Sequence, residues 1–371
     1  MKRIIVYPFS NEVVNLIKVL KEDKNKEIVL SIPRGWYYVD ESFCGEDAAD
    51  YTWGEPIGCK ITNQFEEELK SVDEVVILDV SKRTQIYDDY INNIIASLKA
   101  KKKVRCFAKL KRHDAELVSK LANESNTELQ INFSAVPICD EENEKMYTIE
   151  TPVVGIGNLV GSNNINDVVS LIANSLRKRG YRPAIISTNN NLSAIKGIYS
   201  CILEKTDRYS AKSILKINNM LRDIEQKEKI DIFLVDIPGA MMKYSNGIFG
   251  DFSLAAYCYS QALEFDYFIL NSIVGNYDSD FYNSISECFE KKFGAGIDTV
   301  FIENRIIDMN DSLERHDTVF NKVPCTYVDQ YLNSISQNTI GIQFKNGSLS
   351  EEIEHVVEKI IDCLSNDVEI V

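Results

Sequence analysis

The sequence predicts an α/β protein made of two three-layer domains, each built on a mainly parallel sheet. Three observations predict it. Short apolar runs rich in Val and Ile alternate with stretches of helical period, the pattern of strands covered by helices on both faces. The alternation occurs twice, interrupted by the polar, acidic stretch CDEENEKMYTIETP (139–152). The 371 residues suit about two domains of ordinary size. The expected organisation is a Rossmann-like domain over 1–140 and an altered P-loop NTPase-like domain over 150–371.

The elements follow in order. RIIVYP (3–8) reads as a buried strand. Its basic start resembles a signal peptide, but the apolar run stops at Pro8 and no small-residue cleavage site follows. Ser10 is positioned to cap a helix through about Leu20, with Val13, Val14, Ile17 and Leu20 on one face. EIVLSIP (27–33) is the second strand. Residues 34–64, with RGW, FCG, TWG and EPIG, show no period and read as a long loop, a usual place for function. Its aromatic residues suit a peptide-binding lip or simple packing, and Cys44 is its least core-like thiol. VDEVVILDV (72–80) is a strand, 85–100 a helix, KKVRCFAKL (102–110) a strand and turn, 113–124 a helix, and ELQINF (128–133) a closing strand. The basic run KKKVRCFAKLKRH (101–113) fits a strand with solvated flanks, or a dock for an acidic peptide or phosphate.

In the second series, TPVVGIG is a strand running into a glycine turn. Ile165, Val168, Val169, Ile172 and Leu176 then trace one helical face, and Gly180 marks its end. RPAIIST (182–188) is a strand, 208–228 a charged amphipathic helix, and KIDIFLVDIPG (229–239) an apolar strand ending at an acidic turn. FDYFILNS (265–272), GIDTVFIE (296–303) and NTIGIQF (338–344) supply further strands, with helices between them and over 350–365.

The composition excludes some functions. Fifty-six acidic against 41 basic side chains give a net charge of −15, which argues against general binding of nucleic acid or of anionic membranes. No apolar stretch approaches the ~20 residues that span a bilayer. The nine cysteines lie far apart, without CxxC or Cys/His clusters, as expected of reduced thiols in a cytoplasmic protein. Three scattered histidines make a catalytic triad a poor fit, and no residue is assigned a catalytic role.

The chemistry concentrates at Gly155–Ile156–Gly157–Asn158–Leu159–Val160–Gly161–Ser162–Asn163–Asn164, between a buried strand and an amphipathic helix. Such a turn directs backbone N–H groups and a positive helix end at an anion. The dinucleotide pattern GxGxxG begins at Gly155 and Gly157 but has Val160 at its third glycine. The next strand ends in Thr188 and three asparagines where a ribose-binding acid belongs. The P-loop pattern GxxxxGK[ST], laid on Gly157 to Asn164, places Ser162 for glycine, Asn163 for lysine and Asn164 for the hydroxyl residue. No lysine lies between 151 and 177, so the usual neutralisation of phosphate charge is missing. Asp236–Ile237–Pro238–Gly239 occupies the place of a Walker-B-type aspartate or a DxxG turn, although an aspartate in a Pro-Gly turn also serves backbone N–H groups. The expected anion site is Gly155, Gly157, Gly161, Ser162, Asn163, Asn164, Asp236 and Gly239. Asp236 is its metal or water organiser, and ATP or GTP with magnesium is the cofactor such a loop would take.

At these residues the sequence resembles the clostridial "peptide maturation system protein" family, encoded beside small ribosomally made peptides and their modifying enzymes. The resemblance runs from IIVYPFS through PVVGIGNLVGSNN, LRKRGY and DIFLVDIPGAMMKYSNGIFG to YCYSQALEFDYFILNSI. The layout more remotely resembles two-domain proteins with a Rossmann-like half and a P-loop half of the dethiobiotin-synthetase kind. Many of those keep a Gly-Lys pair that this sequence lacks. The resemblance implies an accessory or binding protein for maturation of a ribosomally synthesised peptide; the missing lysine and hydroxyl residue imply little or no NTP hydrolysis, and the scattered thiols a cytoplasmic location. Its partners would be the precursor peptide, a peptide-modifying enzyme, or both. The alternatives are an ATP-dependent synthetase or kinase acting on a peptide or small carboxylate, and a scaffold for a modifying enzyme.

Overall fold

A computed structural model of the chain describes residues 1–10, 13–33, 47, 56–80, 86–131, 145–160, 168–189, 191–192, 198–200, 210–248, 250–316, 318–335, 341–347 and 349–366. Contacts divide the chain into two compact units, Met1–Ser134 with Asn189–Lys196, and Ala135–Thr188 with Gly197–Val371. Both are α/β domains on parallel sheets.

The first unit runs β1 (Lys2–Tyr7), α1 (Val14–Lys21), β2 (Lys26–Ser31), β3 (Ile61–Thr62), α2 (Phe65–Leu69), β4 (Glu74–Ile77), α3 (Tyr87–Lys99), β5 (Lys103–Cys106), α4 (Arg112–Ser125) and β6 (Leu129–Ile131). Its six parallel strands lie in the order β3-β2-β1-β4-β5-β6. That is the Rossmann order, with the direction of winding reversing between β1 and β4. The central strands are buried on both faces, so they read as continuous runs of Val and Ile, and two apolar clusters cover them.

The basic start of the chain is thus the central strand of a sheet. The helix after it starts later than expected: Val13 occupies the N-cap without a side-chain bond, and the Ser10 carbonyl accepts the Val13 N–H. Most of the expected 34–64 loop, including Cys44 and both tryptophans, lies outside the described residues. Its end contributes β3 to the sheet edge. There Asp47 accepts the N–H groups of Ile57 (3.0 Å) and Gly58 (2.6 Å). The basic run 101–113 is an alternately buried strand and the start of α4. Lys103 pairs with Glu128, Arg105 with Glu74, and Arg112 with Glu116, so these three cations already have partners.

The switch point of the first unit carries no glycine-rich loop, since β1 continues as Pro8, Phe9 and Ser10. Beyond β4, the Asp79 N–H donates to Asn191 Oδ1 (2.6 Å) and Asn191 Nδ2 donates to the Asp79 carbonyl (2.8 Å). A segment distant in sequence therefore satisfies the backbone at the place where a Rossmann domain usually holds a ligand. Leu192 is fully buried beside it.

The second unit runs β7 (Val153–Asn158), α5 (Val168–Lys178), β8 (Pro183–Ser187), β9 (Ile198–Ser200), α6 (Ala211–Lys227), β10 (Ile232–Asp236), α7 (Leu254–Ala262), β11 (Tyr267–Ile273), α8 (Ser279–Phe293), β12 (Thr299–Glu303), β13 (Arg305–Ile307), α9 (Met309–Arg315), β14 (Phe320–Lys322), α10 (Cys325–Ile335), β15 (Gln343–Asn346) and α11 (Ser350–Asn366). The parallel sheet has the order β15-β12-β11-β7-β10-β8-β9, and β13 with β14 forms a separate antiparallel ribbon. Strands β8 to β10 lie on one side of β7 and β11 onward on the other, so the winding reverses at β7.

Alternation along each strand divides the two faces. Val153, Val235, Ile186, Phe268, Leu270, Val300 and Ile302 join one apolar cluster with residues of α6, α7, α8 and α10. The intervening residues face the layer of α5 and α11, which pack on each other, with α5 also against β8 and β10. Local signals fix the helix ends. Ser210 and Asp278 accept N–H groups at the starts of α6 and α8, and Gly294 at φ +76° closes α8. The expected strand over 338–344 is displaced to β15 at 343–346, and residues 336–340 lie outside the described set.

Candidate functional site

The sheet of the second unit ends, at its carboxyl edge, in polar side chains on the α5 side. The register sets them out. Ser187 stands beside Asp236, which is level with Ile156; two residues further, Asn158 is level with Asn271; and Glu303 is level with Ile273 on β11. All five share one face, because each alternates with a residue of the opposite core. Five adjacent strands, β8, β10, β7, β11 and β12, thus each present a polar residue along a slanted row. Strand ends at a reversal of winding are where open α/β sheets bind ligands.

Asp236 ends β10. Its Oδ2 accepts the Ser187 hydroxyl at 2.6 Å, the one hydrogen bond its carboxylate makes among the described residues. A carboxylate has about four acceptor sites, so most of its capacity is unused. The residue keeps a partly exposed surface, yet protein atoms crowd the carboxylate itself. This desolvation pushes its pKa up to about 6, with the Ser187 hydroxyl opposing the shift. A reachable, desolvated and under-bonded carboxylate suits a cation or an ordered water.

Next to it, Asn271 Nδ2 donates to Asn158 Oδ1 at 3.3 Å, and Asn271 Oδ1 is buried without a partner. Asn271 is only 3% exposed. The two amides can turn over together, which would bring the Asn271 NH2 group to the unsatisfied position. At the end of β12 the buried Glu303 lies near Arg305, which opens β13, with Arg305 Nε 3.5 Å from Glu303 Oε2.

The glycines expected to line an anion loop have other surroundings. Gly155 and Gly157 lie within β7, which extends to Asn158. A Cβ on Gly155 would stand 2.8 Å from the rings of Phe265 and Phe268, and one on Gly157 would stand 2.7 Å from the Met241 sulfur. Both side-chain positions are thus occupied by the opposite core. Gly239 has φ +85°, and a Cβ there would meet Asp251 Oδ2 at 2.5 Å. Asp251 in turn accepts the N–H groups of Ala240 (3.0 Å) and Ala255 (3.1 Å), tying the turn after Asp236 to the start of α7. Met241 N–H donates to the Asn158 carbonyl, so the same turn folds back over the end of β7. Gly161, Ser162, Asn163 and Asn164 lie outside the described residues.

Sequence reasoning singled out Asp236 but missed Ser187, Asn158, Asn271, Glu303 and Arg305. The signal available was a polar residue closing each apolar strand on one parity. It becomes readable only once the strand order is known. Among the described residues no group of three or more His, Cys, Asp or Glu is placed to hold a metal ion directly, so a cation at Asp236 would be held largely through water or ligand oxygens. No helix among them is long and apolar enough to cross a membrane.

No protein-family model matches the chain, and no curated protein does. Among solved structures, the chain is similar to a DUF1611 family protein from Anabaena variabilis, with a TM-score of 0.56 at 11% identity. That match covers 98% of this chain and 100% of the other, and it shows a shared two-domain fold. Partial matches include MinD cell division protein from Aquifex aeolicus (TM-score 0.34, 14% identity, 57% of this chain and 97% of that one). Homoserine dehydrogenase from S. aureus matches at a TM-score of 0.25 and 17% identity, over 35% of this chain and 32% of that one.

Proposed function

We propose that the second unit binds a phosphorylated ligand, ATP or GTP with magnesium in the simplest case, and turns it over slowly or not at all. The chain then serves as an accessory or binding protein in the maturation of a ribosomally synthesised peptide. The observation that carries the binding reading is Asp236, a desolvated carboxylate at a strand end with one hydroxyl partner. Magnesium, when bound, would neutralise phosphate charge and order water, with Asp236 receiving that water and Ser187 holding the carboxylate in place. Slow turnover follows from the sequence: Asn163 and Asn164 stand where a P-loop has its lysine and hydroxyl residue, and transition-state charge must be stabilised for phosphoryl transfer. The peptide context is inferred from the family resemblance alone.

Calorimetry with Mg·ATP and Mg·GTP, followed by phosphate-release assays, tests this reading. The expected result is binding that weakens at least tenfold in Asp236→Ala, with phosphate release at background. Turnover that disappears in that variant would identify a synthetase or kinase. No nucleotide binding, together with tight binding of a precursor peptide or modifying enzyme encoded beside the gene, would identify a scaffold.

A further inference from the structure

A cation stands just past the row of strand ends, on the opposite side of β7 to Asp236. Arg305 opens β13 immediately beyond β12, where its carbonyl accepts the Val274 N–H at 3.0 Å. It is 9% exposed, and Glu303, two residues earlier, is 6% exposed. Buried arginines are normally saturated, because five N–H donors out of water need acceptors. Here Nε approaches Glu303 Oε2 at 3.5 Å, a long ionic contact, and the guanidinium makes no hydrogen bond among the described residues. The side chain keeps 11% of its surface exposed. The chain just past β12 therefore carries the forked end of a largely buried arginine whose one ionic partner among the described residues is Glu303.

We infer that Arg305 is an oxyanion-binding cation just beyond the end of β12. The ligand group is a phosphate or carboxylate, both of which match the parallel N–H pair of a guanidinium. Glu303 faces the Nε edge and holds the plane, leaving the terminal nitrogens for the ligand, so little side-chain freedom is lost on binding. Asp236, Ile156, Ile269 and Thr299 are level across the sheet, so Arg305 lies three strands across from Asp236 and six residues further along, roughly 14 Å by 20 Å. An anion at Arg305 is therefore bound apart from Asp236, and only a long, fully extended ligand would touch both. This inference deepens the phosphorylated-ligand reading and rests on it for the phosphate case.

The test is calorimetry of the full chain with inorganic phosphate, pyrophosphate, Mg·ATP and citrate. It compares the native protein with Arg305→Lys and with the paired variant Glu303→Gln/Arg305→Gln, which removes both buried charges together. We expect the paired variant to bind the preferred anion at least tenfold more weakly. Arg305→Lys, which keeps the charge and loses the fork, should fall between the two, with unliganded melting temperature within a few degrees of native. Should the paired variant fail to fold, Arg305→Lys decides by the same affinity criterion. Native protein that binds Mg·ATP or pyrophosphate with variants that bind equally well would overturn the role of Arg305 and leave the phosphorylated-ligand reading intact. Binding of citrate alone, lost in the variants, would keep Arg305 and remove that reading. A native protein that binds none of the four anions would overturn both.

Discussion

At the residue scale, Asp236 makes the sharpest prediction. Its folded pKa of about 6 lies above the ordinary 3.8, so the folded chain holds this proton more tightly than the unfolded chain does. Its contribution to stability is therefore complete below pH 3.8 and is lost as pH rises through about 6. Asp236→Asn removes the ionisation and keeps an acceptor for Ser187. Relative to native, the variant should gain stability between pH 4 and 7.5, by at most about 3 kcal/mol. Urea midpoints at a series of pH values measure this, and a difference that does not change with pH would contradict the desolvated carboxylate. The β7 glycines make a second prediction. Gly155→Ala pushes a methyl group against two aromatic rings, and Gly157→Ala pushes one against the flexible end of Met241. Gly155→Ala should cost about 1–3 kcal/mol and Gly157→Ala less. Equal costs would mean that the rings yield as easily as the thioether.

At the scale of elements, the helix ends that matter are those built on side chains. Asp278 Oδ1 accepts the Phe281 N–H at 2.9 Å at the start of α8, whose buried Tyr282, Ile285, Phe289 and Phe293 line the core of the second unit. Asp278→Ala should destabilise that unit by about 1 kcal/mol, while Asp278→Asn, which also caps, should cost much less. Thermal melts of the two variants check this, and an equal loss would point to charge rather than capping. The same local logic explains what could be read in advance. β1, β2, β4, β7, β10, β11 and β12 were legible because strands buried on both faces are unbroken apolar runs. The amphipathic stripes of α5 and α6 were legible for their period. The two-residue β3, the β13–β14 ribbon and the extent of β7 through Gly157 were not, since tertiary pairing decides them. The glycines illustrate the difficulty: the letters that suggest a phosphate turn are also those that let β7 lie against Phe265, Phe268 and Met241. Asn158, Asn271 and Arg305 look like ordinary strand-end residues until the strand order sets β10, β7, β11 and β12 side by side.

For the whole molecule, the consequence lies in a chain that contributes to two hydrophobic cores out of sequence order. Residues Asn189–Lys196 group with the first unit although the strands before and after them, β8 and β9, belong to the sheet of the second. The first unit is also held by Glu74, 2% exposed, whose carboxylate is bonded by both Lys2 and Arg105. Burial alone would raise its pKa, but these two cations outweigh burial and hold it below the ordinary 4.5. Its stabilisation is thus present above pH 4.5 and is lost as pH falls through the depressed folded value. Glu74→Gln at pH 7 strands two cations, one of them largely buried, and should cost about 3 kcal/mol. Asn191→Ala leaves the Asp79 N–H and carbonyl unpaired and should cost about 2 kcal/mol. Because each loss falls within one unit, hydrogen exchange followed by mass spectrometry should locate both. Amides of β1, β4 and β5 should exchange faster in either variant, while those of β7, β10 and β11 keep their native rates. In Asn191→Ala the amides of Asn191 and Leu192 should follow the first unit, although they come only four and five residues after Ser187 of β8. Uniform acceleration across both sheets would show that the chain opens as one cooperative body and that the 189–196 segment is no boundary between them.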